Sequence, residues 1–168
     1  MSNASLWKMT ATAVVDNLRQ GNLHPTEVIE SAIARIENID GEINALPIRC
    51  FERALDRANN LKASDDPKFL AGLPIVVKDY NDVGGVRTTY GSAIYANNIP
   101  ETSDATIQML ESRGGIPIAK SNVPEWAGGH TFNPVNGLTR NPWNTGRSAG
   151  GSSGGSGAAL ASGQAWLA

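Results

Sequence analysis

Between Thr10 and Leu61 the spacing of apolar residues is mostly helical. Residues 10–20, "TATAVVDNLRQ", predict a short helix that Gly21 stops. Pro25 then stands where a helix starts, with Thr26 and Glu27 in its first turn. Val28, Ile29, Ala32, Ile33 and Ile36 fall on one stripe of that helix. "NALPIRC", 44–50, reads as a short strand. "FERALDRANNL", 51–61, is helical again, with Phe51, Ala54, Leu55, Ala58 and Leu61 near one face. Residues 63–68, "ASDDPK", are a polar break.

After the break the pattern shortens. "GLPIVVKDY" is an apolar run bounded by Gly and Pro, as in a strand buried on both faces. "SDATIQMLESRGG" predicts a helix with Ser103 as N-cap and Gly114 as C-cap. "IPIAKSN" is a second buried strand. Strand, helix and strand at this spacing predict a βαβ unit with parallel pairing and a right-handed crossover. Residues 131–155 are rich in Asn, Pro, Gly and Ser and predict a long irregular loop, which at this length is either disordered or functional. "SGAALASGQAWLA" returns to helical composition. The expected class is therefore α/β, with N-terminal helices leading into a sheet.

Composition narrows the function. At 168 residues the chain is of one-domain size and can bury a core without disulfides or metal. Its 40% hydrophobic and 18% charged residues are ordinary for a soluble protein. A net charge of −2 gives no electrostatic case for nucleic acid or an anionic membrane. Cys50 is alone, so no internal disulfide forms, and a reducing, cytoplasmic setting is expected. The start, "MSNASLWKMT", lacks the apolar core of a signal peptide, and no apolar run is long enough to cross a membrane.

The stretch with chemistry in it is Ser148–Gly157, with five glycines and four serines in ten residues. A flexible linker has this composition. Here, however, it lies between a tryptophan-bearing loop (Trp143) and an alanine-rich helix, and not between two domains. A phosphate loop needs lysine where Ser156 stands, and an apolar strand before it. Gly150-Gly151-Ser152-Ser153-Gly154 matches Gly-x-Ser-x-Gly, but a nucleophile elbow needs a buried strand before it and an acid and histidine after it. His24 and His130 both lie upstream. The chain offers another base in Lys78, at the mouth of the run Leu73–Val77, where lost hydration favours the neutral amine. The competing reading is that Lys78 pairs with Asp79 or Asp82 at the surface.

Four blocks now come together: "GLPIVVKD" (72–79), "AKSNVPEWA" (119–127), "GLTRNPWN" (137–144) and "GGSSGGSGAA" (150–159). In order and spacing they resemble the amidase signature family of serine hydrolases, over most of residues 25–168. The resemblance implies a Ser–cis-Ser–Lys triad on an α/β/α sandwich with a mixed sheet. Lys78 takes the place of the family lysine. Ser152 takes that of the bridging serine, preceded by a cis peptide that Gly151 accommodates. Ser153 is expected to hydrogen-bond within the loop, and the backbone at Ala127 and Gly128, with Ser152, to line the substrate's acyl pocket. The implied substrate is a small-molecule amide, with no metal and no organic cofactor; His24, His130 and Cys50 are too scattered to suggest one.

In that family the nucleophilic serine lies about two dozen residues past the bridging serine, and only sixteen residues follow Ser152 here. The chain is accordingly expected to be the N-terminal portion of one amidase domain. Residues 1–66 would be a helical lead-in and 67–168 the start of the catalytic core. Alone it is expected to be inactive and to fold poorly. Two alternatives remain: the A subunit of a tRNA-dependent amidotransferase, which releases ammonia from glutamine, and a non-catalytic remnant. The amidotransferase protein usually carries a serine- and glutamate-bearing segment where this chain has "AGGHTFNPVNG".

Overall fold

A computed structural model describes residues 3–168; residues 1 and 2 of the expected lead-in lie outside the described residues. A short 3-10 helix, Asn3–Lys8, precedes α1 (Ala11–Arg19) and α2 (Pro25–Ile43). Thr10 caps α1 by accepting from the Ala13 amide at 3.2 Å. At α2 the imidazole of His24 accepts from the Thr26 amide, while the Glu27 carboxylate accepts from the His24 amide at 2.7 Å. His24 thus does structural work as half of a reciprocal cap, with Pro25 in the first turn. Val28, Ile29, Ala32 and Ile36 are buried as the stripe predicts. Asn44, in left-handed conformation, closes the helix.

The strand expected over 44–50 shrinks to β1, Ile48–Arg49. Then come α3 (Phe51–Asn59), β2 (Pro74–Lys78), α4 (Ala105–Ser112) and β3 (Ile116–Ser121). The sheet order is β1-β3-β2. β3 runs parallel to β2, with Val77 opposite Lys120 and Lys78 opposite Ser121, and antiparallel to β1, with Ile48 opposite Lys120. The sheet is therefore mixed, as expected. A further parallel bridge joins Ile75 to Leu167 on the free side of β2.

Alternation along β2 sends its side chains to two cores. Val76, with Ile116 and Ala119, packs on Ile29, Ala32 and Ile36 of α2, on Ala54 and Ala58 of α3, and on Ala158 and Ala159. Ile75 and Val77 pack on Val83, Val86 and Ile107 of α4. Full burial of each valine or isoleucine among them stabilises by about 1.5–3 kcal/mol. Helices flank both faces, and β2 and β3 are therefore buried and mostly apolar, with polar residues only at their C-terminal ends. A third cluster joins Val14, Leu18 and Val28 to Phe69, Ala71 and Leu73, tying the N-terminal helices to the approach of β2.

Two expectations need correction. Ser103 does not cap α4. Asp104 holds the cap position, and the Ser103 hydroxyl accepts from the Gly84 amide at 2.9 Å. The Asp104 carboxylate accepts from the Asn81 side chain and the Asp82 amide, each at 3.1 Å, so the helix start is tied to the loop after β2. Gly114, at φ 77°, does end the helix. Residues 131–155, in turn, are not structureless. They form two small antiparallel ribbons, β4 (Phe132–Asn133) with β5 (Gly137–Leu138) and β6 (Arg140–Asn141) with β7 (Asn144–Ser148), and they enter α5 (Gly154–Ala161).

Candidate active site

The polar residues that made 131–155 look irregular are what orders it. Asn122, just past β3, donates to the Gly137 carbonyl and to Thr139 Oγ1, each at 3.0 Å, and accepts from Asn133 Nδ2 at 2.7 Å. Thr139 Oγ1 donates to the Asn44 carbonyl at 2.7 Å, and Thr131 Oγ1 accepts from the Gly154 amide at 3.0 Å. Asn122, Asn133, Thr131 and Thr139 are buried. Each satisfies backbone groups that a loop inside the fold would otherwise leave unpaired. This network holds the glycine–serine run against the end of the sheet.

There Lys78, the last residue of β2, meets Ser152: Lys78 Nζ donates to Ser152 Oγ at 2.8 Å. Both are half-buried. Burial pulls the Lys78 pKa below the usual lysine value, toward the neutral amine. The competing reading, a surface pair with Asp79 or Asp82, does not hold. Asp79 turns to the opposite face of the strand and pairs with Lys120, and Asp82 accepts from the Tyr90 hydroxyl at 2.6 Å. The Gly151–Ser152 peptide is cis. A Cβ on Gly151 would run into the Gly129 carbonyl oxygen and come within 2.9 Å of His130 Cα, so only glycine fits.

That contact also places the loop of Ala127 and Gly128. Gly129, whose carbonyl abuts Gly151, directly follows them. Their amides are already engaged, Ala127 with the Pro124 carbonyl at 3.0 Å and Gly128 with that of Glu125 at 3.1 Å. They can therefore offer a wall or carbonyls, but not free N–H donors. Ser153 departs from expectation. It is exposed, its hydroxyl makes no cap bond to α5, and its carbonyl accepts from the Gly157 amide at 2.9 Å as the opening bond of that helix. His130 is exposed beside Ser148, and among the described residues no cluster of His, Cys, Asp or Glu could hold a metal ion.

Three features escaped the sequence reading. Behind Lys78, on the other face of the sheet, Lys120 and Asp79 form a fully buried ion pair at 3.2 Å. Lys120 also donates to Thr88 Oγ1 at 2.6 Å, and Asp79 accepts from the amide and hydroxyl of Thr89. Desolvation pulls the Lys120 pKa down, against the Asp79 charge that holds it up. The signal was available: period-two alternation on two adjacent strands puts Lys120 and Asp79 on the face opposite Lys78. Ser121, opposite Lys78 in register, shares a 2.7 Å hydrogen bond with Ser156 of α5. Finally, Tyr90 stacks on Trp126 at 5.3 Å, with Tyr80 and Tyr95 edge-on to it. No spacing rule would have gathered those four rings.

Comparison with known proteins gives this geometry a setting. The family model described as Amidase matches residues 27–168. The A subunit of the glutamyl-tRNA(Gln) amidotransferase of Chromohalobacter salexigens is 36% identical over 92% of this chain and 32% of its own length. Proteins of the same name from other organisms recur at 34–38% identity. AtzE, the 1-carboxybiuret hydrolase component of Pseudomonas sp. strain ADP, is 40% identical over 93% of this chain and 35% of its own. The solved structure of a 6-aminohexanoate cyclic dimer hydrolase superposes with a TM-score of 0.86 at 33% identity, covering 95% of this chain and 33% of that one. The chain spans about a third of the length of the curated relatives it matches.

Proposed function

The chain belongs to the amidase family, and on that premise we propose that its protein hydrolyses a carboxamide C–N bond through an acyl-enzyme, with Lys78 as base and Ser152 as proton relay. The observation that carries the reading is the 2.8 Å contact between a desolvated, carboxylate-free Lys78 and Ser152. A serine hydroxyl must lose its proton as it attacks a carbonyl. Ser152 would take that proton while passing its own to the neutral Lys78 amine. The pair then returns a proton to the leaving amine, and water, deprotonated the same way, releases the acid. Gly151 and Ser153 would hold the relay loop, and Ala127 and Gly128, with Ser152, would bound the acyl group. We place the attacking serine in the length the relatives have beyond the matched span. Residues 1–66 would be the helical lead-in and 67–168 the start of one catalytic domain. A lone cysteine, with no helix among the described residues long and apolar enough to cross a membrane, fits a cytoplasmic setting.

A second reading has its own support. Curated relatives named as amidotransferase A subunits recur, which favours a glutaminase acting beside partner proteins over a stand-alone hydrolase. The chemistry is the same, because the glutamine side chain is a carboxamide. Against it stands the segment 127–137, which lacks the serine and glutamate expected of such a protein. Ammonia release decides both points. The intact protein is assayed on glutamine and on a panel of simple aliphatic and aryl amides, beside Lys78→Arg, which keeps a side chain of similar length but stays charged and cannot act as a base at neutral pH. Turnover on simple amides that Lys78→Arg abolishes supports the hydrolase, and glutamine-only turnover supports the amidotransferase. Undiminished turnover by Lys78→Arg would overturn the proposed base.

A further inference from the structure

Arg49, Arg53 and Arg87 line one cavity of about 330 Å³, with Cys50 and the Gly85–Val86 backbone. No carboxylate is among its lining residues. It lies at the β1 edge of the sheet, whereas Lys78 is on β2, with β3 between them. The cavity is built from two distant segments. β1 and the first turn of α3 bring Arg49 and Arg53, and the loop after β2 brings Arg87.

The positive charge here is incompletely answered. Arg53 Nη2 donates to Glu111 at 2.7 Å, but Arg57 shares that carboxylate at 3.1 Å. Arg49 reaches Asp40 only at 3.5 Å, and Asp40 also accepts the amides of Ala45 and Leu46 at 2.8 and 3.1 Å. Arg87 meets no carboxylate among the described residues and donates to the Ala96 carbonyl at 3.0 Å. Three guanidinium groups thus share two carboxylates and Arg87 has none, which leaves two positive charges unanswered. Arg53 Nη1 is, in addition, buried without an acceptor. An unpaired buried guanidinium N–H is costly, so the Arg53 guanidinium is short of acceptors within the fold.

The geometry points to an anion site for a phosphate-class oxyanion, bound as free phosphate or as a phosphate monoester. Guanidinium forks match phosphate oxygens, and a dianion balances the two unanswered charges. The test needs no catalytic activity, so it stands or falls apart from the proposed amidase reaction. The intact protein is titrated with inorganic phosphate and with ethyl phosphate at constant ionic strength, against chloride. Thermal stability is followed, and so is alkylation of Cys50 by iodoacetamide, read from its own peptide. Phosphate should raise Tm saturably and slow Cys50 alkylation several-fold, because Cys50 is one of the residues that line the cavity. Arg87→Gln, which gives up only a carbonyl contact, should weaken half-saturation by about tenfold or more. Arg49→Gln should weaken it as well, which keeps the test open if one variant folds poorly. Tighter binding of ethyl phosphate would assign the site to monoesters, and equal or weaker binding to free phosphate. No saturable effect beyond chloride, or equal affinity in both variants, would overturn the site.

Discussion

Replacing Asp79 with alanine should be among the most damaging single changes in this chain. The carboxylate is fully buried and accepts from Lys120 and from the Thr89 amide and hydroxyl. Without it, Lys120 keeps its charge in the core with only the Thr88 hydroxyl for company. Removing one partner of a buried pair costs about 3–5 kcal/mol. There is a ceiling, because Lys120 can shed its proton. Neutralising a lysine of ordinary pKa at pH 7 costs about 4.6 kcal/mol. The loss at pH 7 should therefore be about 3–4.5 kcal/mol, or a urea midpoint lower by roughly 1.5–2 M. Lys120→Met should cost about 1–2 kcal/mol less, since Asp79 would keep both Thr89 donors. The double variant should recover about 2–3 kcal/mol relative to Asp79→Ala. The pH dependence has a definite sign. A neutral Lys120 in the folded variant binds fewer protons than the unfolded chain, so the variant's stability should climb with pH, by up to about 1.4 kcal/mol per unit until the unfolded lysine titrates. Urea unfolding of the intact protein at pH 7 and 9 reads all four quantities. A loss under about 1 kcal/mol for Asp79→Ala, or a double variant no better than the single, would refute the reasoning.

Burial lowers the pKa of Lys78, so kcat/KM for amide hydrolysis should rise with pH and level off below the ordinary lysine value of 10.5; a pH–rate series checks this, and a flat profile would remove Lys78 as base. Ser152→Ala should slow turnover by about 10²–10³-fold, and Lys78→Ala by about 10²–10⁴-fold or more, because a water can stand in for a relay hydroxyl but not for the amine; steady-state kinetics on one amide compares the two. Gly151→Ala sets a Cβ against the Gly129 carbonyl and His130, so it should displace the relay loop and lower turnover about a hundredfold while moving the urea midpoint far less than Asp79→Ala does.

Periodicity fixes what is local. The stripe of α2, the buried runs of β2 and β3 and the helical return after Gly155 were legible because each rests on side-chain spacing within one segment, and the parallel pairing followed from the order strand, helix, strand. The candidate pair was legible only as a pattern: Lys78 closing an apolar run, and Ser152 inside a glycine–serine block. Tertiary structure decided the rest. It put the two within 2.8 Å across 74 positions of chain, and it turned Asp79 away to Lys120. Ser103 lost its predicted cap role because a neighbouring loop competed for its hydroxyl. The stretch 131–155 looked structureless because its order comes from Asn122, Asn133, Thr131 and Thr139 bonding across the fold. A local rule reports the conformations a segment can adopt at low cost. Which polar groups meet depends on where the whole chain puts them. Once they are buried, leaving any of them unpaired costs more than local preference can offset.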